Sequence, residues 1–131
     1  MSLRNVKRGV SLFTTEFYPR VKQMNLALLL LDENKKLRDA AAAHLRHIAS
    51  EPGDGTWKPR DFALASYLEL LEDKSKKLRR AACIALGFLG AKEALRQLQY
   101  ICMAGQEPEI REAAKNVLIS FGIDGKLILR R

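Results

Sequence analysis

Residues 74–89 read KSKKLRRAACIALGFL, and their spacing of residue types occurs twice more in the chain. Leu78 precedes Arg79, Ala81 and Ala82 follow, and Leu86 and Leu89 come after them. An earlier copy sets Leu37, Arg38, Ala40, Ala41, Leu45 and Ile48 at the same offsets, and a later one sets Ile110, Arg111, Ala113, Ala114, Leu118 and Phe121. Apolar positions spaced in this way mark one face of an α-helix. Three copies of one helix in 131 residues describe a repeat protein, in which each unit buries its apolar face against its neighbours.

Working outward, each copy is preceded by a second apolar segment, so the unit is a helix pair. Ahead of the first copy a helix is expected from Pro19 to Leu31, on a stripe of Val21, Met24, Leu28 and Leu31 widened by Leu26, Leu29 and Leu30. Proline suits a first helical turn, where its missing N–H would be unpaired anyway. Asp32-Glu33-Asn34 ends that helix. Pro59 repeats the layout before the central copy, with Phe62, Leu64, Tyr67, Leu68, Leu70 and Leu71 on its helix and Glu72-Asp73 as the turn. The last pair opens near Lys92 with Ala94, Leu95, Leu98, Ile101 and Cys102, and Gly105 to Pro108 make its turn. Arg38, Arg79 and Arg111 stand 41 and 32 residues apart, as paired-helix repeats allow.

The expected layout is one repeat domain over 19–131, with pairs at about 19–50, 57–90 and 91–122 and the start of a further helix after them. Residues 1–18 are expected to form an N-terminal arm or short capping helix whose aromatic residues cover the first pair. The Pro- and Gly-punctuated stretch 50–56 is expected to be the longest loop, and Trp57 is expected either to pack over the helix that follows it or to stand exposed as a binding aromatic. In the second helix of the first pair Leu37, Ala41, Leu45 and Ile48 are expected to face inward, and the alanines let neighbouring helices come close. Met1-Ser2-Leu3 reads as a cloning leader and the unfinished last helix as a continuing solenoid, so the chain reads as a fragment of a larger helical-repeat protein. Leu127, Ile128 and Leu129 at that end would seek cover and offer a route to self-association.

Composition narrows the function classes. Hydrophobic residues at 47% and charged residues at 29% are ordinary for a soluble domain, and the apolar run Leu26 to Leu31 is too short to span a membrane. The opening residues lack the apolar core of a secretory signal. Cys83 and Cys102 form no CxxC and read as small helix residues in a reducing compartment, so an intracellular, cytoplasmic setting is expected. The net charge of +8 invites an acidic partner.

The turn acid, the aliphatic-Arg step, the alanine pair and the later leucine resemble HEAT-type repeats, including the shorter HEAT-like variety, over residues 19–122. The resemblance implies an all-α, right-handed α-α superhelix (solenoid) of three antiparallel helix pairs. The run ACIALGFLGAKEALRQLQYIC, with EIREAAKNVL and FG after it, is similar to the C-terminal helical repeats of the Rho-family-interacting cell polarization regulators. In that family GTPase binding belongs to the N-terminal part, so the resemblance does not carry it onto these residues.

Chemistry is sparse. Arg38, Arg79 and Arg111 each follow an acid-bearing turn, and a guanidinium fork binds carboxylates and turn carbonyls in fixed geometry. They are therefore expected to tie turn to helix, or repeat to repeat. Iron-binding deoxyhypusine hydroxylases of this repeat class use His-Glu pairs, whereas His44 and His47 are not followed by Glu. No catalytic residues, metal site or cofactor are expected, and no nucleophile stands beside a base. The expected function is a non-enzymatic protein-binding scaffold using the second helices, with Asp39, Arg46, Arg80, Glu112, Lys115 and Asn116 exposed on them. The alternative is a nucleic-acid backbone-binding module, like the HEAT-like DNA glycosylases, using a basic stripe of Lys35, Lys36, Lys74, Lys76, Lys77 and Arg80. Against it, the third copy places Glu107, Glu109 and Glu112 there, and no aromatic residue interleaves with the lysines.

Overall fold

The computed structural model describes residues 18–51, 58–104 and 107–123; the expectations for the arm at 1–17, for Trp57 and for the residues from 124 onward lie outside them. Among the described residues there are six α-helices and no strand: α1 (Tyr18–Leu29), α2 (Lys35–Ser50), α3 (Pro59–Leu70), α4 (Lys76–Phe88), α5 (Leu95–Met103) and α6 (Pro108–Ser120). They stack as three helix pairs, and α4 is the hub, packed against α1, α2, α3 and α6. A 3-10 turn over Lys92–Ala94 opens the third pair where the sequence suggested α-helix, so α5 is the shortest helix.

Local chemistry sets the helix ends. Asn34 Oδ1 accepts from the Lys36 N–H at 2.9 Å, and Ser75 Oγ accepts from the Leu78 N–H at 3.2 Å, each satisfying a donor of a first turn. The preceding acids fold the turn itself: Asp32 Oδ1 accepts from Asn34 N–H at 2.8 Å, and Asp73 Oδ1 accepts from Ser75 N–H at 2.9 Å. At the far ends, Gly90 (φ 65°) and Gly122 (φ 88°) take the left-handed conformation that glycine adopts without steric cost. Ala91 N–H then reaches back to Leu86 C=O and Ile123 N–H to Leu118 C=O, both at 3.0 Å, closing the same terminal motif twice. The chain thus leaves α6 by the turn with which it leaves α4.

The repeated positions form the core. Leu45, Leu86 and Leu118 are fully buried, and Ala41, Ala82 and Ala114 lie beside them. Leu37 departs from its expected inward position: it is 42% exposed, whereas its counterpart Leu78 is half-buried and Ile110 is buried. Ala40 is exposed in the same way, while Ala81 and Ala113 are buried. Leu37 and Ala40 share one helix face three residues apart, and the first pair has no preceding pair against it among the described residues.

The stripe on α1 is also rotated from expectation. Val21, Met24, Leu28 and Leu31 are half-buried, and Gln23, Ala27 and Leu30 are the buried set. The rotation is explained by a polar pair: the Tyr67 hydroxyl of α3 donates to Gln23 Oε1 at 2.7 Å inside the core. A glutamine with a partner is tolerated there, although counting apolar residues hides it.

Candidate functional site

The three pattern arginines lie in the first turns of the second helices. Arg38 Nη1 donates to the carbonyls of Asp32 (2.6 Å) and Glu33 (3.0 Å), not to their carboxylates. Arg79 Nη1 donates to the carbonyls of Asp73 (2.7 Å) and Lys74 (3.2 Å), and its Nη2 reaches both carboxylate oxygens of Glu107 in the next pair, at 3.1 and 3.2 Å. The Glu107 carboxyl is held below its usual range first by its own backbone N–H and then by Arg79. Arg111 is half-buried in α6, and its carbonyl accepts a long contact of 3.9 Å from the Cys102 thiol.

A second arginine crosses the same repeat boundary. Arg60 of α3 donates to both oxygens of Glu93, at 2.8 and 2.9 Å, and to the carbonyl of Gly90. That bidentate pairing holds the Glu93 carboxyl down to about 2. Neither Arg60–Glu93 nor Gln23–Tyr67 was visible in the sequence, because each partner is set by how one pair sits on the next.

Lys35 and Lys36 start α2, Lys76 and Lys77 start α4, Lys74 stands in the turn before it, and Arg80 follows one turn on; all are exposed. Lys35 is engaged by Asp39 at 2.7 Å, which lowers the Asp39 carboxyl, and Lys76 lies 4.0 Å from Glu107. Lys36, Lys74 and Lys77 have no ion pair among the described residues.

Between α4 and α6 the second helices leave an open groove of about 940 Å³. Ile84, Phe88, Val117 and Phe121 make its apolar lining, and Arg46, Arg80, Lys92, Glu109, Glu112 and Asn116 bring polar groups to it. Four of the six exposed residues expected on the second helices, namely Arg46, Arg80, Glu112 and Asn116, are thus brought together. Asp39 lines a separate hollow with Arg46, while Lys115 lies outside the groove lining. Gly87 accounts for much of the shape. A Cβ there would meet Val117 Cγ2 at 2.9 Å, so the missing side chain lets α6 close on α4 and keeps the floor low. The Arg46 guanidinium of α2 sits 4.8 Å from the centroid of the Phe88 ring and forms the far wall.

His44 and His47 are both exposed on α2. Among the described residues no group of three His, Cys, Asp or Glu side chains stands ready to hold a metal ion, and no helix is long and apolar enough to cross a membrane.

Comparison with known proteins agrees with this architecture. Residues 23–119 match the HEAT repeats family. The chain is 35% identical over 131 aligned residues to Rho family-interacting cell polarization regulator 2 of Coturnix japonica, covering 95% of this chain and 12% of that protein. It is 36% identical over 106 residues to Rho family-interacting cell polarization regulator 1 of Homo sapiens, covering 81% of this chain and 8% of that one. RIPOR family member 3 of Mus musculus is 34% identical over 105 residues, which is 80% of this chain and 11% of that protein. The chain therefore spans roughly a tenth of the length of the curated relatives it matches. With its three stacked helix pairs and its match over residues 23–119, the chain belongs to the HEAT-repeat family.

Proposed function

We propose that this chain is a non-enzymatic protein-binding module of a larger helical-repeat protein, and that its binding face is built by the second helices α2, α4 and α6. The observation that carries this reading is the groove, where Glu109, Glu112, Arg46 and Arg80 surround an apolar floor. Among the described residues those four side chains form no ion pair with one another or with any other group, unlike Glu93, Glu107 and Asp39. Charges left open beside apolar surface suit a polar-rimmed protein interface. The relatives are named as Rho-family-interacting regulators of cell polarization, and a scaffold role fits such a regulator. We place the module inside the cell, in the cytoplasm, which agrees with its two free thiols. Arg38, Arg79 and Arg111 serve the stack and not the partner. The test is recovery of partners from cells by the complete protein and by the same protein lacking residues 18–123. Loss of a partner is expected, and an unchanged set overturns the reading.

A nucleic-acid backbone is the second reading, favoured by Lys36, Lys74 and Lys77 standing exposed and free of ion pairs among the described residues. Phosphate contacts require affinity for generic duplex to fall steeply with salt. Absence of binding at low salt ends that reading.

A further inference from the structure

The floor of the groove consists of two ridges. Ile84 and Phe88 recur at a four-residue step along α4, and Ala113, Val117 and Phe121 do so along α6. Ridges of this step are what a packed helix interdigitates with. From Arg80 to Phe88 the floor runs about 12 Å at the rise of an α-helix, enough for two turns of a ligand helix.

The rim is charged differently on its two sides. The α2 and α4 wall carries Arg46 and Arg80, with Lys92 just past the end of α4; the α6 wall carries Glu109 and Glu112. Aligning Arg79 with Arg111 puts Arg80 and Glu112 at the same level of adjacent helices, so the charge divides across the groove there, while Arg46, beside Phe88, stands nearer the helix ends.

We propose that this groove takes an amphipathic helix of a partner protein whose apolar stripe is flanked by carboxylates on one side and by basic side chains on the other. Resting on the protein-binding reading above, this adds the chemistry of the partner. The carboxylate flank lies against Arg46 and Arg80, and the basic flank against Glu109 and Glu112. Turning the helix end for end exchanges its flanks, so the divided rim also selects the direction in which the helix lies.

Three synthetic helical peptides with one leucine stripe test this: one with Glu on one flank and Lys on the other, one with Lys on both, and one with Glu on both. Fluorescence anisotropy with the full chain reads their affinities. Attraction to the net charge of +8 alone would rank the doubly acidic peptide first. The expected result is instead that the mixed peptide binds at least tenfold more tightly than either of the others. Glu109→Lys with Glu112→Lys is expected to move the preference to the doubly acidic peptide. Arg46→Glu with Arg80→Glu is expected to move it to the doubly basic one, and Lys36→Glu with Lys77→Glu to leave the ranking unchanged. Circular dichroism confirms that each variant is folded. Equal binding of the three peptides, a ranking that either groove reversal fails to move, or no binding up to millimolar peptide overturns the proposal. Should peptides fail while deletion of residues 18–123 still removes a cellular partner, the inference about the groove falls and the scaffold reading stands.

Discussion

Arg79 and Glu107 meet across a repeat boundary, with the Arg79 Nη2 at 3.1 and 3.2 Å from the two carboxylate oxygens while its Nη1 holds the carbonyls of Asp73 and Lys74. One side chain thus fastens the turn of its own repeat and the helix start of the next. Arg38 makes the first half of this arrangement. The difference lies in the helix-start position, which is Asn34 and Ser75 in the first two copies and Glu107 in the third.

Arg79→Ala should therefore cost more than Arg38→Ala. Losing charged hydrogen bonds of this kind at a side chain only 15% exposed is worth about 2–3 kcal/mol. Arg79→Lys should recover little, because an ammonium group cannot hold carbonyls and carboxylate in one fork. Urea unfolding of the three variants measures the order. Equal losses for Arg38→Ala and Arg79→Ala would show that the link to Glu107 adds nothing.

Tyr67→Phe leaves Gln23 Oε1 without its donor inside the core, at a cost of about 1–3 kcal/mol. Adding Gln23→Leu removes the stranded acceptor and should restore most of the loss. A double-mutant cycle by thermal or urea unfolding reads the coupling, and additive losses would contradict a shared hydrogen bond.

Gly87→Ala pits two effects against each other. Alanine favours the helix by about 1 kcal/mol over glycine. Its Cβ would press Val117 at 2.9 Å, and a stiff β-branched side chain on a neighbouring helix yields little, at about 1–3 kcal/mol. The substitution should be neutral to destabilising alone and stabilising when made in Val117→Ala. The same sign in both backgrounds would dismiss the steric account.

The Glu93 carboxyl titrates at about 2 instead of 4.5, because Arg60 hydrogen-bonds its charged form. A depressed folded-state pKa contributes stability that is present above the unfolded value and is lost as pH falls toward the folded one. Stability should fall more steeply from about pH 4.5 to 2 in the wild type than in Glu93→Gln. Acid titration of unfolding midpoints checks it; parallel curves would show that the pair is not formed in solution.

Burial pushes the Cys83 thiol up to about 12, and it also raises the thiol of Cys102, which is only half-buried at the edge of the core. The thiolate is the reactive form, so a thiol reagent at neutral pH should label Cys102 slowly in the folded chain and Cys83 only on unfolding. Mass spectrometry of the labelled peptides identifies the site. Early labelling of Cys83 would mean that α4 opens locally.

The sequence by itself determined the repeat, because its information is local and periodic. Leu45, Leu86 and Leu118 recur at one offset from the pattern arginines, and all three are fully buried. The turns at Asp32-Glu33-Asn34 and Glu72-Asp73 were legible for the same reason, since each depends on residues bonding to their own neighbours. Of the candidate face, Arg46, Arg80, Glu112 and Asn116 could be named, although the groove joining them could not. Only the tertiary structure decided which side of a helix meets which neighbour. It turned α1 onto Gln23, left Leu37 half in solvent, paired Arg60 with Glu93 and divided the charge of the rim. Each of these joins residues far apart in sequence through the rotation of one helix pair on the next, and no local periodicity encodes that rotation.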